Sequence, residues 1–66
     1  MKNLIKVERA RHNMTQQELA EKIGVSRQTI NSIESNRYVP STVLALKISA
    51  LFDLTVNQLF ELEEED

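Results

Sequence analysis

The stretch Thr15–Arg37, TQQELAEKIGVSRQTINSIESNR, carries most of the architectural information in this chain. Thr15-Gln16-Gln17-Glu18 has capping-box spacing: the Thr15 hydroxyl can accept from the amide of Glu18 while the Glu18 carboxylate reaches back to the amide of Thr15. Leu19, Ala20 and Ile23 follow at helical spacing. Gly24 then supplies the positive φ that ends this helix, Val25 plugs the corner, and Ser26 caps the next helix, whose Ile30 and Ile33 share one face. Ala20, five residues before Val25, is small enough to let the two helices approach closely. Two short capped helices joined through Gly24-Val25-Ser26 form a helix-turn-helix.

The same local grammar extends outward. Met14 and Leu19 flank the first cap as a hydrophobic staple, Val25 and Ile30 flank Ser26, and Leu54 and Leu59 flank the cap of Thr55-Val56-Asn57-Gln58. Ser41, after Pro40, is a further cap. The pattern predicts five helices, over Leu4–His12, Gln16–Ile23, Arg27–Ser35, Thr42–Phe52 and Val56–Phe60. No alternating stretch is long enough for an independent sheet, although Met1–Asn3 and Glu61–Glu63 can pair as a short terminal β-ribbon. The expectation is an all-α, single-domain chain over residues 1–66, closing in an acidic tail at 61–66.

Composition removes whole classes of function. A chain of 66 residues buries only about 60% of the surface its unfolded form exposes, so its core is small and self-association helps to steady it. With no cysteine and one histidine there is no disulfide and no soft-metal cluster, and a single glycine rules out a glycine-rich phosphate loop. No apolar run approaches the roughly 18 residues that span a bilayer. Lys6, Glu8 and Arg9 stand where a signal peptide would be apolar, so the expected location is cytoplasmic, with no membrane partner. The net charge of −2 conceals an asymmetry: five of the ten acidic residues occupy the last six positions. Residues 1–60 hold eight basic and five acidic residues, a net of +3, which suits a nucleic-acid partner. The tail itself reads as a solvated end or as a match for a basic partner surface.

At 100° per residue, Ile30 and Ile33 define the buried side of the third helix. Gln28, Asn31, Ser32 and Ser35 then point away from it, flanked by Arg27 and Thr29. That face holds amides, hydroxyls and one guanidinium, with no carboxylate and no bulky apolar group. These groups suit base edges in a major groove, where Gln matches adenine and Arg matches guanine. Glu34 falls about 40° from Ile30 by the same count, beside the buried stripe. It needs a cation, either Arg9 from the first helix in a structural ion pair or Arg37 three residues on. Phosphate contacts are expected from Gln16 and Gln17 at a helix start and from Asn36, Arg37 and Tyr38 in the loop after the third helix. For Tyr38 the other reading is a ring packed over that loop.

These residues resemble the lambda-repressor/Cro-like helix-turn-helix family, the xenobiotic-response-element type, and among them small repressors of the cytolysin-repressor kind. The resemblance covers roughly residues 4–60 and rests most heavily on Val25-Ser26-Arg27-Gln28-Thr29-Ile30-Asn31. It implies a five-helix DNA-binding domain in a free-standing minimal form, with phosphate contact at Gln16 and base contact at Arg27, Gln28 and Ser32. It further implies an interior Arg9–Glu34 pair, a two-fold dimer on the C-terminal helix, and a small terminal ribbon. Glu8 departs from the pattern, standing where many members carry an apolar residue, with Ile5 and Val7 left to take up the packing.

Leu54, Val56, Leu59, Phe60 and Leu62 crowd five large apolar residues into nine positions, either as a homodimer interface or as closure of the chain's own core. The expected function is a sequence-specific, double-stranded-DNA-binding transcriptional regulator, a dimeric repressor reading an inverted repeat. The other reading is an antitoxin-like module that binds a partner protein and autoregulates through DNA. An enzyme is not expected: His12, the only imidazole, has no carboxylate in its stretch to orient it and fits a helix C-terminus. The tail has ligand atoms but no turn to arrange them, so neither metal nor cofactor is expected.

Overall fold

The computed structural model describes residues 1–66 and places five helices between two short strands. In chain order these are β1 (Lys2–Asn3), α1 (Ile5–Arg11), α2 (Gln16–Ile23), α3 (Arg27–Glu34), α4 (Thr42–Leu51), α5 (Val56–Leu59) and β2 (Phe60–Glu61). The starts of α2 through α5 are set by the side-chain caps that the sequence predicts. Thr15 and Thr55 form reciprocal capping boxes with Glu18 and Gln58. Ser26 accepts from the amide of Thr29, and Ser41 from that of Leu44.

The helix ends obey a second rule. Asn13, Gly24, Asn36 and Asp53 all have positive φ, at 51°, 86°, 60° and 57°. At each, the next amide turns back onto the helix: Met14 N–H to Arg9 O (2.9 Å), Val25 N–H to Ala20 O (3.0 Å), Arg37 N–H to Ser32 O (2.9 Å) and Leu54 N–H to Ser49 O (2.9 Å). These are Schellman closures, which satisfy carbonyls that a helix end leaves unpaired. Three of the corners read left-handed residue, apolar residue, cap: Asn13-Met14-Thr15, Gly24-Val25-Ser26 and Asp53-Leu54-Thr55. The middle residue serves both helices, and Met14, Val25 and Leu54 all pack against the core.

That core is one cluster: Ile5 from α1; Leu19, Ala20 and Ile23 from α2; Ile30 and Ile33 from α3; Leu44 and Ile48 from α4; and Phe52, Leu59 and Phe60. Burying a large aliphatic side chain contributes about 1.5–3 kcal/mol, so these residues supply most of the stability of so small a domain. Among the packed helix pairs, α2 and α3 have the most extensive contact, and Ala20, fully buried, sits between them. Ser49 is buried as well, its hydroxyl donating to Ala45 O at 2.8 Å.

Some expectations need correction. Helices α1, α3, α4 and α5 each end one residue early, at Arg11, Glu34, Leu51 and Leu59, with His12, Ser35, Phe52 and Phe60 as C-caps. The first helix starts at Ile5 rather than Leu4: Leu4 stands just outside it as the N-cap, its amide donating to Leu59 O at 2.9 Å. The ribbon pairs Lys2 with Glu61 and Asn3 with Phe60, so its C-terminal strand is Phe60–Glu61 and not Glu61–Glu63. Residues 63–66 instead fold back on the N-terminus: the Met1 ammonium lies 3.1 Å from Glu63 Oε1 and 3.0 Å from Asp66 Oδ2. Hydrogen bonds from the Glu63 amide and the Met1 ammonium hold the Asp66 carboxyl below its ordinary range. In α1, Val7 is half exposed and Ile5 alone does the packing, while Glu8 is itself buried, with Arg11 3.7 Å away.

Candidate nucleic-acid interface

The outward side of α3 is built as its periodicity predicts. Arg27, Gln28, Asn31 and Ser35 are exposed, and Thr29 and Ser32 are half-buried at its edges. The Ser26 hydroxyl lies 3.0 Å from that of Thr29 and accepts the Thr29 amide at 3.1 Å, which fixes the start of the helix. Gln28, Thr29 and Ser32 line one shallow groove together with Arg37 and Tyr38. The loop after α3 therefore stands beside the helix face, as the phosphate assignments require. Tyr38 is 47% exposed, which leaves its ring at the rim of that groove rather than in the core. No carboxylate lies within ion-pair distance of Arg27 or Arg37, so both guanidinium groups are available to an anion.

Behind the face runs a continuous polar network. Arg9 Nε donates to Glu34 Oε2 at 2.6 Å and Arg9 Nη2 to Glu34 Oε1 at 3.0 Å, a bidentate pair with side chains only 14% and 7% exposed. Arg9 Nη1 also donates to Met14 O at 2.9 Å, tying the end of α1 to the start of α2. The hydrogen bond to Glu34 raises the already high pKa of Arg9, so its guanidinium stays charged. Gln16 Nε2 donates to Glu34 Oε1 at 3.1 Å and to Asn31 Oδ1 at 3.3 Å. Gln16 and Asn31 are thus in contact, whereas the Gln17 side chain is exposed and makes no hydrogen bond. Arg37 takes no part in neutralising Glu34.

Of the residues expected at a dimer surface, Leu59 and Phe60 are 1% and 6% exposed and belong to the chain's own core. Leu54 and Val56 pack against that core, and Leu62 is 76% exposed. An apolar groove nearby is lined by Met1, Val39, Pro40, Ala45, Leu46, Val56 and Phe60, with Val39 and Leu46 mostly exposed. Neither Val39 nor Leu46 is picked out by sequence periodicity. α4 is apolar on several sides, and only packing shows which side faces out. Lys47 is another residue missed by spacing; it borders a depression with Thr29, Tyr38 and Val43, next to the helix-turn-helix corner. His12 closes α1, its Nδ1 2.8 Å from Glu8 O and its ring beside Phe52, and no metal-binding cluster surrounds it. No helix is long and apolar enough to cross a membrane.

Comparison with known proteins agrees with this geometry. Residues 5–59 match the HTH_3 helix-turn-helix family. An uncharacterized HTH-type transcriptional regulator of Methanocaldococcus jannaschii is 48% identical over 66 residues, with both chains fully covered. The uncharacterized HTH-type transcriptional regulator YgzD of Bacillus subtilis shares the same identity over the same full length. Among solved structures, the N-terminal DNA-binding domain of SinR from Bacillus subtilis superposes with a TM-score of 0.77 at 36% identity, covering 91% of this chain and 88% of that one. SinR in its complex with SinI superposes at 0.78 and 36% identity, with 92% of this chain matched to 65% of that one. The chain has the lambda-repressor-like fold of SinR, closed by a two-stranded terminal ribbon. It belongs to the HTH_3 helix-turn-helix family of transcriptional regulators, the XRE/Cro/C1 type, a family of DNA-binding proteins and not of enzymes.

Proposed function

We propose that this chain is a sequence-specific repressor that binds double-stranded DNA as a homodimer and reads an inverted repeat with α3 in the major groove. The observation that carries the reading is the outward face of α3: carboxamides, hydroxyls and an unpaired guanidinium, with the Arg37–Tyr38 loop along one side. Gln28 and Arg27 are the base readers, with Thr29, Asn31 and Ser32 completing the face. Arg37, Asn36 and Tyr38 take one phosphate strand. The first-turn amides of Gln16 and Gln17, which lack intrahelical acceptors, take the other. The Gln16 side chain is already engaged with Asn31 and Glu34, and its added role is to hold Asn31 in register.

A two-fold dimer would present two copies of α3 about 34 Å apart, one helical turn of DNA. Because Leu59 and Phe60 are used internally, a second copy would rest on the exposed apolar groove of Met1, Val39, Leu46 and Val56, with the exposed Leu62 as a separate apolar contact. Repression follows from occupancy of a promoter, which places the protein in the cytoplasm with DNA. A partner-binding reading has one observation in its favour: the SinR neighbour is solved in complex with SinI. Here the acidic tail at 61–66 would be the segment offered to a basic partner.

Duplex binding by the purified chain over a salt series tests the main reading. The wild type is expected to lose affinity steeply with salt. Arg37→Ala should weaken binding to all sequences alike and lower the salt slope by about one. No duplex binding at any salt would refute it in favour of the partner-binding module.

A further inference from the structure

The corner after α3 lacks a device that the other three possess. At Met14, Val25 and Leu54 the residue following the left-handed position is apolar and held by the core. After Asn36 that position is Arg37, which is exposed, and residues 35–39 run on in the open before Pro40. A Schellman closure with no apolar anchor loses the contact that normally accompanies it. The loop that follows is the one on which the proposed phosphate contacts depend.

What reaches this corner instead is Asn3, from the far end of the chain. Its Nδ2 donates to Ile33 O at 2.9 Å and to Asn36 Oδ1 at 3.3 Å, while its Oδ1 accepts the Ile5 amide at 3.2 Å. Ile33 O also accepts the Asn36 amide, so both of its lone pairs are filled. One carboxamide therefore spends both protons on the end of α3 and its oxygen on the start of α1. Its own backbone is held in the ribbon opposite Phe60, a core residue.

We infer that Asn3 is a positioning residue for the DNA-reading surface: it pins the C-terminal end of α3 and the Asn36–Arg37 corner to the terminal ribbon. The inference rests on the reading of α3 and its following loop as the DNA-binding surface. Two consequences follow. The ribbon becomes part of the reading machinery although it touches no nucleic acid. Any event that loosens β1 from β2 is transmitted to the phosphate-facing loop through a single side chain. Tests of the pin must separate it from the cap that the same residue provides to α1.

Asn3→Asp makes that separation. A carboxylate still accepts the Ile5 amide and sits favourably at a helix start, but it has no proton for Ile33 O or Asn36 and meets the negative end of α3. Asn3→Ala, neutral but without the α1 cap, is the companion should Asp impair folding. Amide exchange by NMR on the full chain reads the corner directly. The protection of Arg37 and Asn36 is expected to fall about tenfold in either variant, the scale of one or two lost hydrogen bonds. Val25 and Leu54, at the other corners, and Leu19 in the core should keep theirs. The same proteins on a DNA duplex should show weaker affinity and a salt slope lower by about one. Unchanged protection at Asn36 and Arg37 in folded variants would overturn the pin, whatever happens to DNA. A loosened corner in a protein whose wild type binds no duplex would leave the pin standing and refute the DNA reading instead.

Discussion

Replacing Arg9 by methionine tests whether the fold depends on the network behind α3. The stem volume is retained, but Glu34, with a side chain only 7% exposed, loses two of its three hydrogen-bond donors and its only cation. Removing one partner of a buried pair costs about 3–5 kcal/mol. Gln16 still donates to Glu34, which puts the expected loss at the lower end, about 3 kcal/mol. A chain of this length has roughly 3–10 kcal/mol in total, so the variant should be marginal at room temperature. At about 4–8 °C per kcal/mol for a domain this small, the melting temperature should fall by about 12–24 °C. Circular dichroism during thermal and urea unfolding measures this, at fixed protein concentration because association would shift the midpoint. The double variant Arg9→Met/Glu34→Leu should recover much of the loss, since an apolar pair needs no mutual neutralisation. A cost below about 0.5 kcal/mol for Arg9→Met, the range of ordinary surface changes, would refute the claim that the pair orients α1 against α3.

Three further outcomes follow from particular residues. Gly24→Ala should cost about 1–2 kcal/mol purely through backbone conformation, because φ is +86° and an added Cβ meets nothing within 4 Å; an unchanged melting temperature would argue against the left-handed corner. The Glu18 carboxylate is held below its ordinary pKa mainly by the Thr15 amide, so its folded value is depressed and its stabilisation is present above the unfolded pKa. That stabilisation is lost as pH falls through the folded value, and Glu18→Gln should flatten this part of the acid unfolding curve; identical curves would remove the capping box from the pH response. Leu46→Asp places a charge in the exposed apolar groove and should shift the proposed wild-type dimer to monomers in sedimentation equilibrium. Dimers that persist would place the interface elsewhere.

The parts of the fold written in local chemistry are legible from the sequence. Thr15, Ser26, Ser41 and Thr55 mark the starts of four helices because a cap needs only its own side chain and an amide three residues on. The Arg9–Glu34 pair is legible by helical angle together with the cost of a lone buried carboxylate. Helix ends are harder. Gly24 announces itself, but Asn13, Asn36 and Asp53 adopt the same left-handed conformation with residues that are equally common in loops. The repeated order of left-handed residue, apolar residue and cap is the signal that identifies three of those corners. Long-range packing is where local signals stop: nothing near Leu59 or Phe60 says that they face inward while Leu46 faces out. Nor does anything near Asn3 point to Ile33, thirty residues away. Ribbon register is set by that same non-local closure, which is why the paired strand begins at Phe60.

The most direct test of the central claim is selection from a random duplex library with wild type and Gln28→Ala in parallel, at two salt concentrations. The account predicts enrichment of an inverted repeat with half-sites about 10 bp apart. Gln28→Ala should relax preference at one position of each half-site by about 1–3 kcal/mol and leave the salt slope unchanged. Binding with no enriched sequence, or the same enriched sequence with the same preference in both proteins, would contradict the assignment of α3 as the reading helix and of Gln28 as its reader.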